Sequence, residues 1–248
     1  LYDELSRVRP NVTIALGNTA SWALMHNTGI SKIRGTIAQS SVLRGYKVLP
    51  TYHPAAVLRD WSLRPVTVLD LAKAKRESTF PDIRRPQCVV HIVESVQDME
   101  SFYVEHLVSA TSLAFDIETS GNQITCIGFA PSKDLSLVVP FVDNRNLDEG
   151  SRGSYWKTAK DEALAWDFVR RVLDLPCPKF GQNTLYDIHF LWRGYGITVR
   201  NYADDTMLMH HALQPESNKG LGFLGSVYTN HSSWKTMRTK VLTLNKDK

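Results

Sequence analysis

The sequence predicts an α/β protein built in two parts. Three observations predict it. Short apolar runs alternate with segments whose apolar positions recur at helical spacing. A stretch with two prolines and no periodicity, Ser78-Thr79-Phe80-Pro81-Asp82-Ile83-Arg84-Arg85-Pro86-Gln87, separates two such series and reads as a linker. The charge also changes sign across that stretch. Residues 1–87 hold 13 Lys/Arg against 6 Asp/Glu, a net of +7, while residues 88–248 hold 16 against 19, a net of −3.

The elements follow in order. Val12–Leu16 is a short strand, Gly17-Asn18-Thr19 a tight turn, and Asn18 or Thr19 caps a helix through Met25. Arg34-Gly35 falls in a polar loop. Tyr46–Leu49 is a strand stopped by Pro50, and Thr51–Arg59 is a loop that turns into a helix start. Pro65–Glu77 reads as a helix with Val68, Leu69 and Ala72 on one face. Beyond the linker, Cys88–Val93 is a strand and Ser95 caps a helix to about Val108. Leu113–Thr119 is a strand with Ile124–Ala130 and Leu135–Phe141 as antiparallel neighbours. Asp143–Lys160 is a polar loop. Asp161 begins a helix that turns Leu164, Phe168, Val169 and Val172 inward. Pro178–Gly181 is a short strand, and Gln182–Arg193, Asp204–Leu213 and Leu221–Tyr228 are helices. The domain boundaries implied are 1–78, a linker at 79–87, and 88–248.

Composition excludes several classes. The chain of 248 residues is 43% hydrophobic and 22% charged, which is globular rather than disordered. No apolar run approaches the roughly 18 residues of a membrane span, so no membrane partner is expected. Three scattered cysteines, Cys88, Cys126 and Cys177, support neither a disulfide framework nor a zinc site, and a cytoplasmic location is expected. The start, Leu1-Tyr2-Asp3-Glu4, has no initiator methionine and no signal-peptide pattern, which points to a piece cut at its beginning. The basic first part suits a polyanion. The acidic second part suits carboxylates that hold divalent metals.

Those carboxylates can be named. Asp116 and Glu118 are two apart in a strand and therefore share one face, roughly 6–7 Å apart. Two such acids repel each other, and a cation relieves the repulsion. Gly121 follows closely and lets a substrate backbone approach. Asn183 and Asp187 stand four apart at a helix start, which puts both on one helical face. Asn183 can donate an amide hydrogen bond to a nucleotide, and Asp187 can complete a metal site. With no His or Cys expected nearby, the oxygen ligands suit Mg²⁺ or Mn²⁺ and disfavour zinc. Asp204-Asp205-Thr206 opens another helix, where Asp205 reads as an N-cap. Phe190, Trp192 and Tyr195 could stack on bases, but their spacing favours core for most of them.

Phe115-Asp116-Ile117-Glu118-Thr119-Ser120-Gly121, then Asn183-x-x-x-Asp187, then Asp205-Thr206 resemble the 3′–5′ proofreading exonuclease of family A DNA polymerases, a DEDD exonuclease. The run from His211 to Leu224 resembles the bacteriophage branch, and the likeness covers about residues 88–241. It implies an RNase H-like mixed sheet flanked by helices. It also implies two-metal phosphodiester hydrolysis, with two Mg²⁺ or Mn²⁺ ions on Asp116, Glu118 and Asp187. By the same resemblance Glu118 touches the terminal 3′ hydroxyl, and Asp205-Thr206 is mainly structural. The implied partner is DNA, as a single-stranded 3′ end or primer-template, within a larger polymerase or replisome. The family pattern then needs a late Tyr-x-x-x-Asp or His-x(4–5)-Asp element. Tyr228 has Ser232 four residues on, and His231 has no acid before Asp247. This departure puts catalysis in question rather than fold.

Leu16-Gly17-Asn18-Thr19-Ala20, Arg34-Gly35 and Leu49-Pro50-Thr51-Tyr52-His53-Pro54-Ala55-Ala56-Val57-Leu58-Arg59 resemble the C-terminal half of a uracil-DNA glycosylase-like domain, over about residues 1–78. The likeness implies a partial α/β/α module whose His-Pro loop enters the DNA groove, with His53 as the substrate-facing residue and Val57 or Leu58 as a wedge. The water-activating half of that fold is not in this chain, and no cysteine in 1–87 could hold an iron–sulfur cluster. A DNA-binding or vestigial module is therefore expected, not an active glycosylase. Two alternatives to the exonuclease stand beside it: a catalytically incomplete DNA-binding fragment of a replication polymerase, and a structural docking piece of a larger assembly.

Overall fold

The computed structural model describes residues 1–143 and 153–230. The chain divides into two compact units, one of residues 1–86 with the segment from His210 onward, the other of residues 87–209. Among the described residues no helix is long and apolar enough to cross a membrane.

The first unit holds α1 (Tyr2–Val8), β1 (Thr13–Leu16), α2 (Gly17–Met25), α3 (Ile30–Ile33), β2 (Ala38–Gln39), β3 (Lys47–Thr51), α4 (Pro54–Arg59) and α5 (Arg64–Glu77). Its sheet has the order β1-β3-β2, with β1 parallel and β2 antiparallel to the central β3. The strand expected to stop at Pro50 continues to Thr51, because Pro50 pairs with Ala15 and its carbonyl accepts the Gly35 N–H at 2.8 Å. Neither Asn18 nor Thr19 caps α2. The Asn18 side chain instead accepts the N–H groups of Gly29 (3.0 Å) and Ile30 (2.9 Å), at the start of α3.

The larger corrections concern charge. The buried face of α5 is Val66, Asp70, Lys73, Ala74 and Glu77, whereas Val68 and Ala72 lie outward. Arg34, expected in a solvated loop, is 2% exposed and grips Asp70 bidentately, with Nε to Oδ2 at 2.8 Å and Nη2 to Oδ1. Thr51 donates to the same Asp70 carboxylate at 2.7 Å. Lys47, on β3, donates to Glu77 Oε2 at 2.9 Å. A buried charge is tolerated only when paired and hydrogen-bonded, and here each partner comes from a distant part of the chain.

A further helix, Leu221–Tyr228, packs on this charged face in the first unit. Ser226 Oγ accepts from Arg34 Nη1 at 3.0 Å, and the Arg34 guanidinium lies over the Phe223 ring, 5.2 Å from its centroid. Lys73 Nζ donates to the carbonyls of Gly35 (2.7 Å), Ser226 (3.1 Å) and Thr229 (2.6 Å). Two of those carbonyls belong to the C-terminal end of the helix, where the negative pole of its dipole favours a cation. Burial pushes the Lys73 ammonium down to about 8, against the attraction of Asp70.

The second unit holds β4 (Val89–Ile92), α6 (Val96–Phe102), β5 (Leu113–Ser120), β6 (Gln123–Ser132), β7 (Leu135–Pro140), α7 (Ala159–Asp174), β8 (Lys179–Gly181), α8 (Thr184–Tyr195), β9 (Tyr202–Asp205) and the first turn of α9 (Thr206–Leu213), whose remainder counts with the first unit; the helix Leu221–Tyr228 is thus α10. The sheet order is β4-β7-β6-β5-β8-β9. β6 is antiparallel to β5 and β7, while β4 on β7, β8 on β5 and β9 on β8 are parallel. This is the mixed sheet flanked by helices that the sequence predicts. Ser95 caps α6 as expected, its Oγ accepting the Asp98 N–H at 3.1 Å.

β5 alternates as a half-buried strand should. Leu113, Phe115 and Ile117 enter the core with Phe129, Val139, Phe168 and Val172, and the intervening residues face outward. α7 is capped by Thr158 and buries Ala165, not Leu164, beside Phe168 and Val169. Asp204 and Asp205 end β9 rather than begin a helix, which starts at Thr206. The expected loop at 143–160 lies partly outside the described residues.

Arg34→Met should leave Asp70 buried without its cation. We expect a loss of about 3–5 kcal/mol in the first unit, read as faster hydrogen exchange at the β3 amides with no change at β5 and β6.

Candidate active site

The site grows from the point where β5 outruns its neighbour. β8 pairs with β5 only at Leu113 and Ala114, so the later N–H groups on that edge need other acceptors. The Ile117 N–H donates to Asp187 Oδ1, at 3.2 Å, from the first turns of α8. Asp187 is 4% exposed. Burial pushes its carboxyl up to about 7; the Ile117 hydrogen bond opposes this, and the nearby charges of Asp116 and Asp205 add to it. A carboxyl held among like charges gains from a cation.

Asp116 and Glu118 lie on the outward face of β5, as expected, and the register of β5 on β6 shifts just after Glu118. Such a bulge re-aims a strand beside a site. Gly121 takes φ 61 in the turn that follows. Across the pair, Glu118 stands opposite Cys126, and Asp116 opposite Gly128. Cys126 corrects the expectation that no Cys lies near, because cross-strand register is invisible to sequence spacing. Burial pushes its thiol up, with Glu118 and Asp116 adding to the effect.

Asn183 does not share a helical face with Asp187. It precedes α8 in the left-handed conformation (φ 58) and is exposed. Asp205 enforces this. Its Oδ1 accepts the Asn183 N–H (3.0 Å) and the Met207 N–H (2.8 Å), and its Oδ2 accepts the Thr184 N–H (2.8 Å). The capping role expected for Asp205 is present, and it serves the starts of both α8 and α9.

Two residues at the site were missed by spacing. Tyr186 and Thr119 join their hydroxyls at 3.0 Å, linking the first turn of α8 to the end of β5. Of the aromatics considered for stacking, Phe190 and Tyr195 pack on the core, and Trp192 is exposed.

Three acids therefore reach this corner of the sheet from two elements. Among the described residues, no three His, Cys, Asp or Glu side chains are gathered tightly enough to enclose an ion in this side-chain arrangement. Asp187 is turned into the β5 backbone, which accounts for part of that. The donor chemistry nonetheless fits a hard divalent cation: carboxylate oxygens, one of them buried and crowded by negative charge. The segment searched for a late acid, His231 to Lys248 with Asp247, lies outside the described residues.

In the first unit, His53 is exposed beyond the C-terminal end of β3, the N-cap of α4. Its Nδ1 accepts the Ala55 N–H at 3.1 Å, so the neutral ring carries its proton on Nε2 and offers a donor outward. Gly17, at φ 82 beyond the end of β1, comes so close that a Cβ there would sit 3.1 Å from His53 Cβ. Both loops thus lie at the carboxyl ends of parallel strands, the usual place for a ligand crevice. Of the two residues expected as a wedge, Leu58 is 78% exposed and Val57 is half-buried.

Asp205→Ala should remove three hydrogen bonds at once. We expect a loss of about 1–2 kcal/mol, seen as lost hydrogen-exchange protection at Asn183, Thr184 and Met207, with Asp205→Asn intermediate because it keeps one oxygen.

Comparison with known proteins gives two family matches. The 3′–5′ exonuclease family of DNA polymerase A type matches residues 90–247, and the uracil DNA glycosylase superfamily matches residues 1–79. The Type-4 uracil-DNA glycosylase of Thermotoga maritima is 37% identical over 79 residues, which are 30% of this chain and 40% of that protein. The chain thus spans well under half of that curated relative. Among solved structures, the RNase D:GMP complex of Trypanosoma brucei is 15% identical over 62% of this chain and 46% of that one, with a TM-score of 0.47. The catalytic core of RRP6 from Trypanosoma brucei is 14% identical over 64% and 41%, with a TM-score of 0.45. Because the exonuclease family match spans most of the chain and contains both the Asp116–Glu118 strand and the Asp187 helix, the chain belongs to the DNA polymerase A type 3′–5′ exonuclease family, of RNase H-like fold, with a uracil-DNA glycosylase superfamily segment ahead of it.

Proposed function

We propose that residues 88–248 act as the metal-dependent proofreading exonuclease of a phage-type family A DNA polymerase, removing nucleotides from a DNA 3′ end. The observation that carries this reading is the buried Asp187 carboxyl, bonded to the Ile117 amide and crowded by Asp116. That crowding is costly for a structural acid and useful for a cation ligand. In this reading Asp116, Glu118 and Asp187 hold two Mg²⁺ or Mn²⁺ ions. When bound, such ions lower the pKa of a water and neutralise charge on the phosphate and the leaving 3′ oxygen.

The chain's own residues do the rest. Asp187 is anchored at the edge of β5 by the Ile117 amide, beside Asp116, and would turn a carboxylate oxygen toward the ions when they bind. Glu118, exposed beside the bulge, faces the space where a terminal 3′ hydroxyl would lie. Asn183 presents its amide from an exposed left-handed turn, suited to a sugar or base edge. In the first unit, His53 offers an Nε2 proton donor at a strand-end crevice, which supports DNA contact. Uracil excision is not part of the proposal.

A single strand labelled at its 5′ end should shorten from the 3′ end when protein and Mn²⁺ are added. Asp116→Ala and Asp187→Asn should reduce the rate to background while the protein remains folded. Equal rates in the Asp116 variant would sink the site assignment. Salt-sensitive binding without metal-dependent shortening would instead favour a non-catalytic DNA-binding fragment.

A further inference from the structure

The first unit carries a second feature suited to an anion, apart from the His53 loop. An open cleft of about 340 Å³ is lined by Arg9, Asn11, Arg44, Tyr46 and Lys47 among others. It lies where β1 and β3 begin, whereas Gly17 and His53 follow the ends of the same parallel strands. The length of β3, roughly 15 Å at ~3.3 Å per residue, separates the two places.

The cations of the cleft are not equivalent. Lys47 Nζ is already committed to Glu77 Oε2 and to the carbonyls of Glu77, Phe80 and Asp82, at 2.8–3.1 Å. Arg9 and Arg44 are exposed, and among the described residues neither guanidinium has a hydrogen-bond or ion-pair partner. No carboxylate side chain lines the cleft. Two guanidiniums that line the same cleft without a compensating carboxylate favour an oxyanion there.

The roots of both arginines are held. Arg9 ends α1 in the left-handed conformation, its N–H on the Leu5 carbonyl at 2.8 Å. Arg44 sits in a turn closed by the Tyr46 N–H on the Leu43 carbonyl at 3.1 Å, while Ser40 Oγ accepts from Val42 and Leu43. Only the side chains remain to be ordered, which lowers the entropic cost of binding. The Tyr46 hydroxyl is turned to the Leu5 carbonyl at 3.4 Å, so the wall offers phosphate contacts rather than an enclosed nucleoside pocket.

We propose that this cleft binds the phosphodiester backbone of single-stranded DNA through Arg9 and Arg44. The proposal rests on DNA being the partner, as the exonuclease reading requires, but not on cleavage. A passing strand suits an open cleft in a unit that carries a net +7 over residues 1–87.

The test uses the full chain with a fluorescein-labelled 20-nucleotide strand in EDTA, titrated at 50–300 mM KCl by anisotropy. Without divalent metal the readout is independent of the exonuclease, so a failed cleavage assay leaves it intact. Arg9→Gln with Arg44→Gln should weaken binding several-fold at low salt. It should also flatten the plot of log K against log [KCl] by roughly 1.4, since each phosphate contact on a single strand contributes ~0.7. Arg9→Lys with Arg44→Lys should keep the wild-type slope. An unchanged slope in the glutamine pair would overturn the proposal. So would an equal loss from Lys32→Gln with Lys75→Gln, two exposed residues away from the cleft, because that result describes a diffuse basic surface. Displacement of the strand by millimolar dAMP, but not by KCl of equal ionic strength, would overturn it in favour of a mononucleotide site.

Discussion

Three backbone amides, those of Asn183, Thr184 and Met207, converge on the carboxylate of Asp205. That carboxylate ends one strand and begins two helices. Without it the first turn of α8 has unsatisfied donors and no fixed entry angle. With it, Asp187 arrives against the edge of β5 at the place where β8 has stopped pairing, and the Ile117 amide receives an acceptor it would otherwise lack. Placement of the buried acid is thus a consequence of two hydrogen-bonding debts settled together.

The same physics organises the first unit with different groups. Asp70, Lys73 and Glu77 face inward from α5 because Arg34, Lys47, Thr51 and the C-terminal carbonyls of α10 meet them there. Each charge taken alone would be too costly to bury. Residues 210–230, which fall within the exonuclease family match, therefore also cover the polar interior of the glycosylase-like segment. A half-sheet of three strands gains its cover from downstream in the chain.

Much of the second unit was legible in sequence. Alternation in Leu113–Thr119 predicts β5 and puts Asp116 and Glu118 on one face, and the cap at Ser95 is found as read, as is the first unit's helix Leu221–Tyr228. The failures share a cause. The buried face of α5 is charged, and a hydrophobic pattern cannot find a face whose partners lie up to 156 residues away. Asn183 looked helical because four-residue spacing was read without the left-handed turn that Asp205 imposes. Cys126 came beside Glu118 only through strand register. Tertiary hydrogen bonding, not local propensity, decided each of these.

The central proposal is that Asp116, Glu118 and Asp187 together form one two-ion centre. Paramagnetic broadening on adding substoichiometric Mn²⁺ to the isotope-labelled chain tests it most directly. The account predicts selective loss of the amide signals of Asp116, Ile117, Glu118 and Asp187, largely abolished by Asp187→Asn. Broadening that spares these amides, or that persists unchanged in the Asp187 variant, would contradict it.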